Sequence, residues 1–200
     1  MSYATLAEFK SSIGITDSAD DTPLQSVLDA TDQLINNYCD IKVGFGTTSS
    51  QTRYYTTNSL VYVLTDPIVT LTTLQTDDDG DGTYETTWAG SDYILAPRNA
   101  ATDGRPYTEI NTNISETKLF PTEYLAVKVV GTFGWPSVPA AVKQAALIQA
   151  GAVWSSRTAP FGVIGSADLG GVMRLSRALH PEAQVLLEPY RNRVGMVGGA

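Results

Sequence analysis

The chain has 200 residues, 42% of them hydrophobic, and a formal net charge of −8 with 13 basic and 21 acidic side chains. That length and apolar content describe one globular domain or two small ones, and exclude a disordered or fibrous chain. An acidic chain is a poor candidate for wrapping nucleic acid, because such binding rests on cationic neutralisation of phosphates.

The charge is unevenly placed. Residues 1–92 hold fourteen acids and three bases, whereas residues 140–200 hold three acids and six bases. An acidic front and a basic back suit contact between copies, docking on a charged partner, or neutralisation within one subunit. The single cysteine, Cys39, excludes an intrachain disulfide and reads as a small buried hydrophobe. There is no basic, apolar leader and no apolar run of bilayer length, so the expectation is a soluble protein made in the cytoplasm.

In chain order, Thr5-Leu6-Ala7-Glu8 has the form of a capping box, with Leu6, Phe9 and Ile13 as an apolar face and Gly14 as the stop. Thr22-Pro23-Leu24-Gln25 reads as a second capping box, with Pro23 at the first helical position. The helix that follows carries a stripe of Leu24, Val27, Leu28, Thr31, Leu34, Ile35 and Tyr38. Asp29, Asp32, Gln33, Asn36 and Asn37 are expected on its wet side.

From residue 47 to 132 the chain is rich in Thr, Val and Tyr with period-two stretches. Strands are predicted at 53–56, 60–64, 69–75, 83–88, 93–95, 108–111 and 125–131, with a turn at Asp66-Pro67. Short strands in close succession predict an antiparallel sheet or small barrel. Residues 139–157 then form a helix with no clear apolar side, starting from Pro139. A helix apolar all round is normally buried, so it should pack on its own helices and lie at or near a subunit boundary. Residues 158–171 read as a Gly-rich loop, 172–179 as a short helix, and His180-Pro181-Glu182 as the start of a last helix ended by Pro189. Residues 192–200 read as a Gly-rich tail.

The predicted fold class is α+β: a helical domain from both chain ends with an inserted antiparallel β domain. The divisions are 1–46 (helical), 47–132 (β), 133–190 (helical, packing on the first part) and 191–200 (tail).

The sharpest local motif is Asp77, Asp79 and Asp81 followed by Gly82. Alternate carboxylates can converge on one hard cation such as calcium. Position twelve of an EF-hand loop falls on Trp88, and the flanks are strand-like, so a hairpin tip is the competing reading, with Glu85 able to supply part of the missing ligation. A calcium-stabilised β-rich module for protein or glycan is the alternative function. His180 is the lone histidine, and no nucleophile elbow or phosphate loop is present, so an enzyme is not expected. Arg174, Arg177, Arg191 and Arg193, with Phe161 and Tyr190 as aromatic anchors, read as a docking segment.

Three stretches carry a resemblance. The first is Tyr3-Ala4-Thr5-Leu6-Ala7-Glu8-Phe9-Lys10, then Gly14-Ile15-Thr16-Asp17 and the helix 24–38 ending in Tyr38-Cys39. The second is the apolar helix 140–154. The third is Ala159-Pro160-Phe161-Gly162, residues 165–177 and Leu186-Leu187-Glu188-Pro189-Tyr190-Arg191. In these the chain resembles the head-to-tail adaptor (head–tail connector) proteins of long-tailed double-stranded DNA bacteriophages. The β module departs from the small all-helical members and looks like an insertion.

The resemblance implies a structural virion protein without cofactor. It implies a ring, typically of twelve subunits, beneath the portal at the neck, extending the DNA channel and offering a platform to a stopper or tail protein. DNA would pass without sequence-specific binding, and no membrane is involved. Carried over by position, portal contact falls on residues 161–177 and 190–193.

Overall fold

The computed structural model describes residues 2–113, 118–157, 163–165, 172–174 and 179–191. The fold is α+β, as predicted, and divides into two compact units. The first comprises Met1–Lys42 and Val138–Ala200, the second Val43–Ser137.

In the first unit, α1 (Leu6–Ile13) starts from the expected capping box. The Glu8 amide donates to Thr5 Oγ1 at 3.2 Å and the Thr5 amide donates to Glu8 Oε2 at 2.8 Å. Each bond satisfies an amide that has no partner inside the helix. Gly14, at φ 74°, ends the helix in the left-handed conformation.

The helix α2 spans Asp21–Cys39 and departs from expectation at its start. Asp20 is its N-cap and makes no side-chain cap, so Thr22-Pro23-Leu24-Gln25 is not a capping box. Pro23 is the third helical residue, where its missing N–H again costs nothing, so the helix can begin earlier. Leu24, Leu28, Thr31, Ile35 and Cys39 are buried as the stripe requires. Two stripe assignments are corrected. Leu34 is exposed, and Asp32 is buried, because the chain start folds over that side of α2. The Tyr3 amide donates to Asp32 Oδ2 at 3.2 Å, and the Tyr3 hydroxyl donates to Asn36.

Burial pushes the Asp32 carboxyl up to about 6, against the opposing pull of the Tyr3 amide. The folded chain thus holds a proton that the unfolded chain has released, over the interval from about pH 4 to 6. Stability falls as pH rises through that interval, and the full penalty stands above it. Asp32→Asn keeps an acceptor for Tyr3 and removes the buried charge. Urea unfolding should show a gain of roughly 2 kcal/mol at pH 8 and almost none at pH 4. An equal gain at both values would place the effect outside the titration of Asp32.

The helix α3 spans Ala140–Ser156, with Pro139 as its N-cap, not its first residue. Leu147, Ala150 and Trp154 join Phe9, Leu24 and Leu28 in one apolar cluster. Gln149 is buried and accepts the His180 amide at 2.7 Å, which anchors the start of α4 (Pro181–Leu187). Ala183 and Leu187 of α4 are buried. A short 3-10 turn, Glu188–Tyr190, follows at Pro189. Ile148 and Ala152 stay half-buried, and Val153 is exposed. Among the described residues, then, α3 packs on its own helices with one face incompletely covered.

Two three-residue strands, Val163–Gly165 and Val172–Arg174, form an antiparallel pair. A short helix over 172–179 was the expectation, and residues 172–174 are strand instead. Val-Ile-Gly and Val-Met-Arg flank a Gly-containing connection, so each can satisfy the other's backbone locally. These strands are β7 and β8.

In the second unit the antiparallel sheet runs β1 (Gln51–Tyr55), β6 (Val127–Phe133), β2 (Tyr62–Thr76), β5 (Tyr107–Thr112), β4 (Tyr93–Ala96), with β3 (Thr86–Trp88) also on β2. The two strands predicted at 60–64 and 69–75 are one long strand, and Asp66-Pro67 is not a turn between them. The register shifts between Leu64 and Ile68, where β2 leaves β5 and joins β6. Proline is tolerated at such a bulge because no ladder bond needs its missing N–H. The Pro67 carbonyl accepts the Gly134 amide at 2.8 Å. Val63, Ile68, Leu74, Ile110, Val127, Val129 and Phe133 fill the core from alternate strand positions. Trp88 and Phe120 close it, stacked with ring centroids 4.5 Å apart.

Candidate assembly surfaces and an acidic loop

The hairpin between β2 and β3 brings the carboxylates of Asp77, Asp79, Asp81 and Glu85 together, with one oxygen of each within 4.8 Å of the others. Asp77 organises the turn. Its Oδ1 accepts the Gly80 amide at 2.7 Å and its Oδ2 the Gly82 amide at 2.8 Å. Gly80 and Gly82 take φ of 77° and 89°, a conformation glycine adopts without steric cost. Burial of Asp77 acts to raise its carboxyl, but the Gly82 and Gly80 amides outweigh it and hold it below the usual range. Asp81 Oδ1 accepts the Thr83 amide at 2.7 Å, and Thr86 Oγ1 donates to Asp78 at 2.6 Å. Convergent oxygens of this kind can hold one hard cation of calcium's size, and they equally make a polar hairpin tip.

His180 serves as N-cap of α4, its Nδ1 accepting the Glu182 amide at 3.3 Å. Lys143 of α3 donates to Glu8 of α1 at 2.8 Å, and that bond holds the Glu8 carboxyl down at about 2.

Of the residues expected to dock a partner, Tyr190 and Arg191 are the last two described residues, in the 3-10 turn and just after it. The Arg191 guanidinium sits 5.1 Å from the Tyr38 ring centroid, and Tyr38 donates to Glu188 at 3.3 Å, so this end is fastened to α2. Arg174 is the last residue of β8. Phe161, Arg177 and Arg193 lie outside the described residues. A second surface, not expected from the sequence, lies at the apolar loop end of the second unit. Leu60, Val61, Leu119 and Tyr124 are all exposed there. The signal was present as Leu60-Val61-Tyr62, an apolar triplet without the alternation of a half-buried strand.

Residues 3–71 match the phage gp6-like head-tail connector protein family. The match takes in α1, α2, β1 and the first part of β2, and so includes the opening residues and the helix 24–38 that carry the resemblance. Over those residues the chain is similar to head–tail connector proteins, and the stretches 140–154 and 159–191 lie outside the match. Three solved chains share the fold along nearly the whole length. One, in the neck of an empty GTA particle with C6 symmetry, is 19% identical at a TM-score of 0.56, covering 98% of this chain and 93% of that one. A second, in the virion of a native gene transfer agent (GTA) particle, is 20% identical at 0.56 with the same coverage. A third, in the neck of a native GTA particle with C12 symmetry, is 20% identical at 0.53, covering 97% and 91%. At this identity the likeness is one of fold. No curated protein matches the chain.

Proposed function

We propose that this chain is a structural ring adaptor of the virion neck, between the portal of the DNA-filled head and the tail or stopper. The observation that carries the reading is the head-tail connector match over residues 3–71. The shared fold with chains from particle necks supports it along the rest of the chain. In this reading the first unit is the helical connector part, the second is inserted into it, and twelve copies surround and extend the DNA channel. The acidic chain lets DNA slide past, since cationic contacts are what make phosphate binding strong. The protein performs no catalysis, and the calcium-stabilised binding module is not favoured by these likenesses. Cryo-electron microscopy of particles should place the chain in a ring at the neck. A strictly monomeric protein absent from particles would sink the proposal.

Portal contact is assigned to the basic, aromatic C-terminal segment: Phe161, Arg174, Arg177, Tyr190, Arg191 and Arg193. Deleting residues 190–200 removes the Arg191 contact on Tyr38, which at an exposed site is worth about 1 kcal/mol. The truncated chain should therefore fold, by circular dichroism, while losing portal binding in a pull-down with purified portal. Loss of folding would make this segment part of the core instead.

A further inference from the structure

We infer that the apolar loop end of the second unit docks on the helical unit of a neighbouring copy of this chain. This rests on the ring reading above and names a surface for it. Two loops, 56–61 and 119–125, are tied together by hydrogen bonds at both ends. The Phe120 amide donates to the Leu60 carbonyl at 2.9 Å, and the Leu125 amide donates to Thr56 Oγ1 at 2.8 Å. What they present is therefore a shaped surface. Leu60 and Val61 are 52% and 50% exposed, Leu119 is 53% and Tyr124 is 83%. Scattered exposed apolar residues need no explanation, but four of them on two loops fastened to each other suit a contact surface. Leucine and tyrosine there, with no lysine among them, is the composition of an interface centre.

On the side of the β2–β3 hairpin the edge of this surface carries more acids than bases, with Lys128 over the Tyr84 ring as the base. Glu123 lies in the same loop, and its Cγ is 3.5 Å from where a Gly80 side chain would begin, beside the hairpin of Asp77, Asp79 and Asp81. Tyr84 from that hairpin donates to the Leu125 carbonyl at 2.7 Å, fixing the edge to the apolar centre. An acidic rim repels anionic lipid and nucleic acid. It complements an apolar surface edged with cations.

The helical unit of this chain offers an exposed apolar residue beside an exposed cation. Residues 140–200 carry six bases and three acids. At the end of α3, Val153 is exposed, and Arg157, one turn further on, is exposed too. The Arg157 guanidinium lies 4.2 Å from the Trp154 ring centroid, which holds it in place. Two different patches that fit each other make a head-to-tail contact, and such contacts propagate around an axis, closing as a ring when the rotation between copies divides a full turn. The fold neighbours come from particle parts with C6 and C12 symmetry, which agrees with a fold that repeats around an axis.

The test is sedimentation velocity of the purified full chain over a concentration series, with circular dichroism to confirm folding. Wild type should self-associate. Tyr124→Ser, Glu123→Lys and Arg157→Glu should each weaken association by about tenfold or more. Glu123→Lys combined with Arg157→Glu should recover most of that loss, because the charges are exchanged and still opposite. Three results would overturn the inference: a monomer at every concentration, single variants that associate as wild type does, or a double variant no better than the singles. Detection of the chain in purified particles is scored separately. Self-association without a place in particles would leave this surface standing and remove the connector reading.

Discussion

Gly134→Ala should unfold the second unit or come close to it. The residue sits just past β6 at φ 104°, where an L side chain is strained. A Cβ built there would stand 1.9 Å from the Gly46 carbonyl oxygen and 3.0 Å from its carbon. Those are backbone atoms, so no rotamer change relieves the clash. Neither backbone can retreat cheaply. The Gly134 amide is bonded to Pro67, and Thr48, two residues after Gly46, donates from its amide to the Phe133 carbonyl at 2.8 Å. The neighbouring Phe45 and Trp135 rings also pack together, with centroids 5.5 Å apart. Strain of this type, together with loss of the Pro67 bond, costs about 4 kcal/mol or more, a large fraction of a small unit's stability. Hydrogen exchange should show amides of β1, β2 and β6 losing protection. Gly14→Ala is the matched control: its φ is also positive, but nothing lies within 4 Å, so only the conformational cost applies. Equal effects at the two positions would show that contact with Gly46 is unimportant.

Phe9→Ala should have the corresponding effect on the first unit. Phe9 is fully buried and lies in the cluster where α1, α2 and α3 meet, with Leu24, Leu28 and Ala150. Truncation removes the whole aromatic ring and leaves a cavity that helices held by other contacts fill only in part. The expected loss is about 3–5 kcal/mol. Urea unfolding followed by hydrogen exchange should show α1 and α2 losing protection. Phe9→Leu, which keeps more of the volume, should cost much less. If Phe9→Ala costs under about 1 kcal/mol, the cluster collapses freely and is not the centre of this unit. A chain made of two compact units need not unfold in one step, so protection is read unit by unit and not from a single midpoint.

Much of this was legible in the residues. Thr5 and Glu8 announced α1, because a capping box depends on side chains three apart and on nothing distant. Leu24, Leu28 and Ile35 announced the buried side of α2 through helical spacing. Alternation from Val127 to Phe133 announced a half-buried strand. The acidic hairpin was also readable, since Asp77 closes its turn with amides three and five residues on.

What failed was whatever depended on a partner distant in sequence. Nothing within α2 tells that Asp32 is buried, because the cover comes from Tyr3, twenty-nine residues away. Asp66-Pro67 looked like a turn because local chemistry favours one. Tertiary pairing decided otherwise: β5 holds one end of β2 and β6 the other, so the proline is absorbed at a bulge. The strand at Val172–Arg174 likewise depends on its pairing with Val163–Gly165.

By itself, then, the sequence determined the helices with local caps, the apolar stripes, the strand-rich middle and the resemblance at the opening residues. All of these rest on interactions within a few positions. Only the tertiary structure decided which side of α2 is covered, how β2 bends between two partners, and which loops come together as an apolar surface. Those depend on long-range pairing, in which each segment's environment is supplied by residues far along the chain. For α3 both levels were needed. Its composition announced more apolar surface than one side could use, and the packing revealed which residues, Val153 among them, remain open to a further contact.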